Sequence, residues 1–489
     1  MTLNFAKWVS TCVVALAMAA TLAGQTTRPS RITQEISNAS RVTLHGNVRA
    51  GLTPQRDLGP VEDGMELRLY LVLQRSPEQQ AALDNLLARQ QQPTAAEYHN
   101  WLTPKQFGQQ FGASQDDIAK ITTWLEAQGM KVNGVMNNAM MIHFTASAAQ
   151  VREVFGTQLH YYNIQGGKYA ANAQDPQIPA ALAPVVSGIK GLIKIPPQSH
   201  RTKVHPMSYD AATHQWHSLD AANRPEYNNP CTPPYCPEYD VTPQDYYTIY
   251  NVNPVFNGGN LGANATIAVI EESDIEYGTV DPSTGAATGG DVATFRNLFG
   301  VPGTLNMFVY HGYGTVSCAA PGIDPSNSGE ESEAALDAEW ANALAPSAKL
   351  IFMSCVYNNT GNGIWDSMTA LVDNNLADVM SMSYGGSELN YTAGDYTFQD
   401  PLYAQAAAQG QSIIISAGDS GSDVADQNAA PISTANPTGT AEYCTTTSAT
   451  TADPTGTAIC GINVSGMSSS PLVTAAGTGP VRPRAVTRK

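Results

Sequence analysis

The chain has 489 residues and a formal net charge of −17 at pH 7, and only 14% of its residues are charged. This length allows two or three domains with separate cores. The negative charge argues against nucleic acid and against an anionic membrane surface as partners. Because a chain with few charged residues has few ion pairs to lose in acid, the composition is compatible with work at low pH.

The N-terminus has the pattern of a secretory signal. Lys7 precedes a mostly apolar run from Cys12 to Leu22, and small residues follow up to Gly24. This run is too short for a membrane span, and no later segment is apolar for long enough to cross a bilayer. We therefore expect residues 1–25 to be removed and the remaining chain to be secreted, extracellular and without a membrane span.

The cysteines that remain suggest disulfides. They are even in number, as expected for an exported chain, and sequential pairing is the simplest arrangement of Cys231, Cys236, Cys318, Cys355, Cys444 and Cys460. None of them has a convincing metal-site spacing, because the Cys231-x4-Cys236 pair lacks a second pair. No metal site is expected at these residues.

Residues 40–192 are predicted to form a small α+β domain. The alternation from Leu67 to Leu73 predicts a strand with one buried face, and Ser76 and Ser114 are placed to begin two helices, with Asp117 in the capping-box position of the second. Further predicted elements are a strand at 139–144, a short helix around 151–155 and a last strand at 160–164. The polar residues 26–64 are expected to be an irregular, flexible entry.

A linker and an α/β domain are predicted to follow. Residues 193–240 lack periodicity and have the composition of an exposed linker. In residues 241–477, apolar strands alternate with helices, which indicates a parallel sheet with helices on both faces. The predicted strands are 266–270, 306–310, 349–353, 378–383 and 412–416, and the helices are 291–300, one beginning near Gly329, 364–374 and 402–409.

An acidic pair lies on the helix that begins near Gly329. Glu333 and Asp337 are four residues apart, so both carboxylates project from one helix face. A base held by a second acid at this spacing can activate a nucleophile without histidine. The alternative is structural, because acidic residues in a first helical turn stabilise the helix dipole.

Two Gly- and Ser-rich loops follow strands of the predicted sheet. Ser383, Tyr384 and Gly385 lie in SMSYGG after one strand, and Asp419 lies in SAGDSGS after another. Such loops let a backbone approach a ligand closely, and ligands bind beyond the carboxyl ends of parallel strands. Taken singly, each loop is also compatible with an ordinary turn.

These motifs, in this order, resemble the sedolisin (serine-carboxyl peptidase) family in its kumamolisin-type branch. YHNWLTPKQF, from Tyr98 to Phe107, is similar to the propeptide signature of that family, although its aromatic residues alone are most simply explained as packing residues. The similarity extends from about Leu67 to Gly477. It implies an α+β propeptide domain followed by an α/β subtilisin-like catalytic domain, synthesised as a zymogen that is cut in the linker.

The resemblance also implies roles for the acidic residues. Glu333 would be the general base, oriented by Asp337, and a protonated Asp419 would donate to the oxyanion. Ser383, Tyr384 and Gly385 would bind a peptide or protein substrate, and the chain's own propeptide would occupy the cleft. Glutamate suits acid: at pH 4 it is ionised in roughly a third of molecules, whereas histidine is neutral in about 0.3%.

The nucleophile of the family lies in a Gly-Thr-Ser motif, and no such motif occurs in the 489 residues. Ser468 is a poor candidate, because its surroundings resemble the stretch that precedes the nucleophile segment. Residues 478–489 form an atypical basic tail, which is compatible with a solvated tail and also with out-of-frame translation or premature termination. We therefore expect a catalytic domain that is incomplete at its C-terminus, without the nucleophile and without the region in which the family binds calcium.

Two functions remain open from the sequence. One is a secreted acid-acting serine-type endopeptidase zymogen by family resemblance, inactive as this chain. The other is a non-catalytic propeptide-like inhibitor or peptide-binding remnant.

Overall fold

A computed structural model describes residues 28–164, 166–199, 207–210, 215–218, 242–324, 329–386, 388–418 and 465–476. The predicted signal segment, most of the linker and the basic tail lie outside these ranges, as do Asp419 and all cysteines except Cys318 and Cys355. Within the described ranges, no helix has the length and apolar character needed to cross a membrane.

The first domain is the predicted α+β unit. Its helices are α1 (Pro77–Gln90), α2 (Pro104–Phe111), α3 (Gln115–Ala127) and α4 (Ala148–Phe155), with a 3₁₀ turn at Ala180–Leu182. Its strands are β1 (Arg41–Thr43), β2 (Asp57–Pro60), β3 (Glu66–Leu73), β4 (Lys131–Val135), β5 (Met141–Ser147), β6 (Leu159–Ile164), β7 (Gly167–Asn172), β8 (Gln177–Pro179) and β9 (Val186–Lys190). A four-stranded antiparallel sheet of order β4-β5-β3-β9 forms its centre.

Strand β3 differs from the prediction in one respect. Leu67, Leu69 and Leu71 pack into the core of the first domain, as the alternation predicts. Tyr70 and Val72 point to the opposite face and are nevertheless fully buried, in a cluster with residues of the second domain. The prediction of a single buried face is therefore wrong, because the second domain covers the other face.

The expected flexible entry is wrong for residues 28–64. Ile32 is buried, β1 pairs with β8, and β2 pairs with β6. Asp117 holds this segment: its carboxylate accepts from the Ser30 hydroxyl at 2.6 Å and from the Ile32 N–H at 2.9 Å. Asp117 therefore does not complete a capping box with Ser114, whose hydroxyl donates to it instead.

Helix α2 was not predicted, although its start signal is present. Thr103 caps it and forms a capping box with Gln106, and Pro104 occupies the first helical position. The strand predicted at 160–164 is also not the last, because β7, β8 and β9 follow, and β9 pairs with β3. Sequence periodicity does not reveal such a return, since the pairing partner lies far away in the chain.

The segment predicted to be a linker contributes the short strands β10 (Gln198–Ser199), β11 (Met207–Asp210) and β12 (Gln215–Ser218). The second domain has helices α5 (Pro243–Ile249), α6 (Asn253–Asn257), α7 (Gly290–Phe299), α8 (Glu330–Leu344), α9 (Ile364–Asp373) and α10 (Ala393–Ala408), and a 3₁₀ turn at Glu388–Asn390. Its strands are β13 (Thr266–Glu271), β14 (Ala286–Ala287), β15 (Asn306–Tyr310), β16 (Gly312–Tyr313), β17 (Val316–Ser317), β18 (Lys349–Ser354), β19 (Val379–Met382), β20 (Tyr384–Gly385), β21 (Ser412–Ser416) and β22 (Thr474–Ala476).

The second domain is built on the predicted parallel sheet. Its seven strands have the order β14-β15-β18-β13-β19-β21-β22, and only the edge strand β14 is antiparallel. Val269 of the central strand β13 packs with residues of α7 and α8, whereas Ala268 and Ile270 pack with residues of α9 and α10. Helices therefore cover both faces, and the carboxyl ends of the parallel strands meet at one edge.

Helices α9 and α10 also contact the first domain through buried polar groups. The Tyr70 hydroxyl donates to Asp366 at 2.6 Å, and the Lys190 ammonium lies 2.5 Å from an Asp395 oxygen. Asp373 of α9 accepts from two backbone N–H groups of the first domain, those of Asn137 at 2.7 Å and Asn138 at 3.0 Å. We call these groups, together with the apolar cluster around Tyr70, the domain contact.

The YHNWL segment docks on the C-terminal end of α10. The Leu102 N–H and the Gln90 side-chain amide both donate to the Ala408 carbonyl, at 3.0 and 3.1 Å. Gly410 follows the helix with φ of +78°, and a Cβ there would lie 2.6 Å from the Trp101 ring. The aromatic segment thus caps a helix of the other domain, because helix C-terminal carbonyls need donors from outside the helix.

One disulfide lies within the described ranges, between Cys318 and Cys355. It agrees with sequential pairing for these two cysteines. It joins the segment that precedes α8 to the residue directly after β18, at the carboxyl edge of the sheet.

Candidate active site

Helix α8 presents the acidic pair to the carboxyl edge of the sheet. Glu333 is only 4% exposed, and Asp337 lies one turn further along the same face. Burial raises the pKa of Asp337 to about 6, while hydrogen bonds from Ser383 and Glu271 act in the opposite direction. Stabilisation of the helix dipole needs only a solvated acidic residue in the first turn, and burial of a carboxylate costs free energy. The helix dipole alone therefore does not explain why Glu333 is buried.

Ser383 and Asp337, predicted from separate motifs, are in direct contact. The Ser383 hydroxyl donates to an Asp337 oxygen at 2.8 Å. Ser383 lies between β19 and β20, where the chain leaves the sheet, so the strand end and the helix meet at this hydrogen bond. The sequence predicted that both motifs lie at one edge but not that the two side chains touch.

A third carboxyl group, Glu271, was missed by the sequence analysis. It is the last residue of β13, has no exposed surface and forms a hydrogen bond with Asp337. Burial, together with the negative charges of Asp337 and Glu333, raises the pKa of Glu271 well above its usual range. In its protonated form Glu271 can donate a hydrogen bond to Asp337. The available signal was an acid that ends an apolar strand at the centre of the sheet.

Tyr384 supports this group from the buried side. Its hydroxyl donates to Glu271 at 3.1 Å and accepts from the Glu272 N–H at 3.3 Å, and its side chain has no exposed surface. The tyrosine side chain thus binds the carboxyl group and is turned away from solvent. A peptide at this position can contact only the backbone of Tyr384.

The backbone of this segment already pairs with another part of the chain. Strand β20 is antiparallel to β10, with Gln198 opposite Gly385 and Ser199 opposite Tyr384. The first residues after the α+β domain therefore lie along the strand predicted to bind substrate. The Gly386 carbonyl, next in the chain, accepts from the Gly466 N–H at 2.9 Å.

The remaining predicted residues are less informative. Asp419 lies outside the described residues. The Ser468 hydroxyl donates to the Ser465 carbonyl at 3.3 Å, in a turn before β22. Among the residues that the structure describes, no three His, Cys, Asp or Glu side chains are arranged to hold a metal ion.

Comparison with known proteins identifies relatives of both domains. The family model "Pro-kumamolisin, activation domain" matches residues 55–195. Kumamolisin from Bacillus sp. (strain MN-32) is 26% identical over 394 residues, which cover 79% of this chain and 63% of the relative. Sedolisin from Pseudomonas sp. (strain 101) is 24% identical over 356 residues, which cover 72% of this chain and 54% of the relative.

A third relative, Xanthomonalisin from Xanthomonas sp. (strain T-22), is 25% identical over 78% of this chain and 43% of its own length. The chain thus spans about half the length of these relatives. A solved structure of Pseudomonas sedolisin (serine-carboxyl proteinase), complexed with two molecules of pseudo-iodotyrostatin, is 22% identical, covers 49% of this chain and 54% of that one, and has a TM-score of 0.34. Residues 55–195 are thus similar to a pro-kumamolisin activation domain, and the chain is similar over most of its length to the sedolisin-family relatives kumamolisin, sedolisin and xanthomonalisin.

Proposed function

We propose that the chain is the precursor of a secreted serine-carboxyl endopeptidase with a subtilisin-like catalytic domain, which cleaves peptide bonds in acid. The observation that supports this best is the hydrogen-bonded group of Glu271, Asp337 and Ser383 beside Glu333. Buried carboxyl groups with raised pKa values concentrate at functional sites.

The proposed roles follow from which of the carboxyl groups Glu271, Asp337 and Glu333 carry a proton in acid. At pH 4, Asp337, with a pKa near 6, and Glu271 both carry protons. Two protonated acids can donate hydrogen bonds and leave one negative charge to Glu333, the proposed general base. Asp419, kept protonated, is proposed to donate to the oxyanion of the tetrahedral intermediate.

Substrate is proposed to bind as an antiparallel strand on Ser383, Tyr384 and Gly385. The pairing of β10 with β20 supports this mode, because it shows that the segment accepts an extended backbone. The same pairing supports autoinhibition, since the chain that leaves the activation domain occupies the strand that a substrate would need.

The attacking hydroxyl is not assigned to any of the 489 residues, which contain no Gly-Thr-Ser motif. Loss of the nucleophile of a serine protease lowers turnover by a factor of about 10⁶. A polypeptide limited to these residues is therefore proposed to bind peptides without cleaving them. No described residue is proposed as a calcium ligand.

Hydrolysis of a denatured protein at pH 3 to 5 tests the proposal. The 489-residue polypeptide should be inactive, and a product extended to a downstream Gly-Thr-Ser segment, if the coding DNA contains one in any frame, should be active. Glu333→Gln should abolish that activity. Glu339→Gln on the same helix is the matched control, because burial, aided by Asp291, raises the pKa of Glu339 to about 8 and glutamine resembles the protonated acid.

The outcomes separate the two parts of the proposal. Hydrolysis by the 489-residue polypeptide that is lost in Glu333→Gln would show that these residues contain a nucleophile. An extended product whose acid proteolysis is unaffected by Glu333→Gln would refute the role of the acidic pair.

A further inference from the structure

The start of α8 is held from outside the helix. Gly329 occupies the N-cap position and has no side chain with which to bind the free N–H groups of the first turn. Its own N–H donates to the Asp324 carboxylate at 2.8 Å. Asp324 has a φ of +43°, a conformation that Asp, Asn and Gly adopt more readily than other residues. Asp324 is therefore placed to fix the start of the helix that carries Glu333 in its first turn.

The backbone of Asp324 is bound in turn by the residues that follow β13. Its N–H donates to the Ser273 hydroxyl at 2.9 Å, and Ser273 has no exposed surface. The next residue, Asp274, binds both backbone groups of Gly322: its N–H donates to the Gly322 carbonyl at 3.0 Å, and its carboxylate accepts from the Gly322 N–H at 3.0 Å. The strand that ends in Glu271 thus also anchors the segment that leads into α8.

The Asp274 carboxylate is itself held by several donors. It is only 6% exposed and accepts from the Ser354 hydroxyl at 2.5 Å and from the Tyr277 hydroxyl at 2.8 Å. Ser354 ends β18, and the next residue, Cys355, forms the disulfide with Cys318 at the beginning of the same segment. That segment is therefore fixed to two neighbouring strands of the sheet, β13 and β18.

We propose that Asp324 is a positioning residue of the candidate active site, which places Glu333 relative to Glu271 by joining the start of α8 to the end of β13. The proposal rests on the proposed function in taking Glu333 as the general base. A displacement of about 1 Å at a catalytic group can cost a hundredfold in rate, so the placement of the base needs a support of its own.

The placement of Glu333 relative to Glu271 can be measured without catalysis. The negative charge of Glu333 is one cause that raises the pKa of Glu271, after burial and the charge of Asp337. If the start of α8 is released, Glu333 moves away, and the pKa of Glu271 should fall by about half a unit or more. A loss of global stability alone does not change how the folded chain titrates, so this pKa reports on position.

Carbon-13 NMR of the full 489-residue chain, labelled at the glutamate carboxyl groups, measures this pKa, with Glu271→Gln to assign the signal. Asp324→Gly keeps the left-handed backbone conformation and removes the carboxylate. It should lower the pKa of Glu271 and speed hydrogen exchange at the start of α8 by about fivefold. Asp324→Asn keeps an oxygen that can accept from Gly329 and should match the wild type in both measurements.

Asp281→Gly is the matched control, because Asp281 accepts from the Ser283 N–H at 2.8 Å in an exposed turn before β14. It should leave both measurements unchanged. Ser273→Ala removes the acceptor of the Asp324 N–H and should shift both in the same direction as Asp324→Gly. It replaces that variant should Asp324→Gly fail to fold.

The outcomes separate this proposal from the proposed function. An unchanged pKa of Glu271 in folded Asp324→Gly, or an equal shift in Asp324→Asn, would overturn the positioning role whether or not the chain is a protease. In an extended product that cleaves protein in acid, Asp324→Gly should lower kcat about tenfold to a hundredfold at unchanged KM, and an unchanged kcat would also overturn the role. An extended product without acid proteolysis would refute the proposed function, whereas the pKa of Glu271 would still decide the positioning role.

Discussion

Replacing Lys190 by methionine tests how strongly the domain contact depends on one buried ion pair. The Lys190 ammonium lies 2.5 Å from an Asp395 oxygen, and each side chain is about one-tenth exposed, at 10% and 11%. The ammonium also lies 4.8 Å from the centre of the Trp365 ring. Methionine keeps the unbranched apolar chain and removes only the charge.

The expected cost comes from the partner that is left behind. Asp395 would remain buried, with only Thr392 as hydrogen-bond donor at the start of α10. Removal of one partner from a buried ion pair costs about 3–5 kcal/mol, most of which reflects the uncompensated charge. The double variant Lys190→Met/Asp395→Asn removes that charge and keeps a cap for the helix, so it should regain at least about half of the loss.

The pH dependence should reverse as well. In the wild type, burial alone would raise the pKa of Asp395, but the Lys190 charge and the Thr392 hydrogen bonds lower it overall. The pair therefore stabilises the contact above the ordinary aspartate pKa, and this stabilisation is lost as the pH falls through the lowered value. Without Lys190, burial is opposed by the Thr392 hydrogen bonds and by the charge of Arg49, and the variant should become more stable relative to wild type as the pH falls toward 4.

Urea unfolding at pH 7 and pH 4.5 measures these effects, with hydrogen exchange to follow each domain separately, because a two-domain chain need not unfold in one step. A loss of less than about 1 kcal/mol in the free energy of unfolding of Lys190→Met would refute the reasoning, because it would mean that a buried Asp395 without its lysine partner costs almost no stability. A double variant no more stable than Lys190→Met would refute it equally, because the cost would lie in packing.

Three further predictions concern other parts of the molecule. Glu271, whose pKa is raised by burial, should contribute a fall in stability of about 1.4 kcal/mol per pH unit from pH ~4.3 up to its raised pKa, and Glu271→Gln should reduce the wild-type slope by that amount; equal slopes in the two proteins would contradict a protonated Glu271. Gly410→Ala should weaken the domain contact by about 1–3 kcal/mol, because the new Cβ would clash with the Trp101 ring and because φ at this position is +78°. Adding Trp101→Ala should relieve the clash but not the backbone strain. Hydrogen exchange at the contact that is as slow in Gly410→Ala as in the wild type would contradict this prediction. Replacing both Cys318 and Cys355 by serine should cost about 4 kcal/mol for a separation of 37 residues, and an unchanged urea midpoint would show that the loop is held without the disulfide.

Local sequence signals predicted most of the second domain. The apolar run at 266–270 is the central strand of the sheet, and the helix that begins near Gly329 places Glu333 and Asp337 on one face, as their spacing requires. Both predictions depend on contacts within one element, where periodicity determines which side chains share a face. The helix at 104–111 has an equally clear start signal in Thr103 and Gln106, although this stretch also resembles the propeptide signature of the family.

Contacts between distant segments could not be predicted in this way. Glu271 and Asp337 are brought together by the pairing of a strand with its neighbours and the packing of a helix, not by sequence spacing. Lys190 in the sequence IKGLIK has the appearance of an ordinary solvated lysine, and only the docking of α10 makes it a buried partner of Asp395. Buried polar groups at an interface become meaningful only when both surfaces are known.

Acid acts on the candidate active site and on the domain contact in opposite directions, and this explains why one chain would carry both. Glu271 and Asp337 have raised pKa values, so protonation stabilises the group of carboxyls that they form. At the contact, strong acid removes the charge on Asp395 that binds Lys190. Strong acid would therefore stabilise the carboxyl groups of the site while it weakens the contact between the two domains. Asp373 strengthens the contact as the pH falls from about 6 toward the ordinary aspartate pKa, so the contact should weaken clearly only in stronger acid, where Asp395 loses its charge.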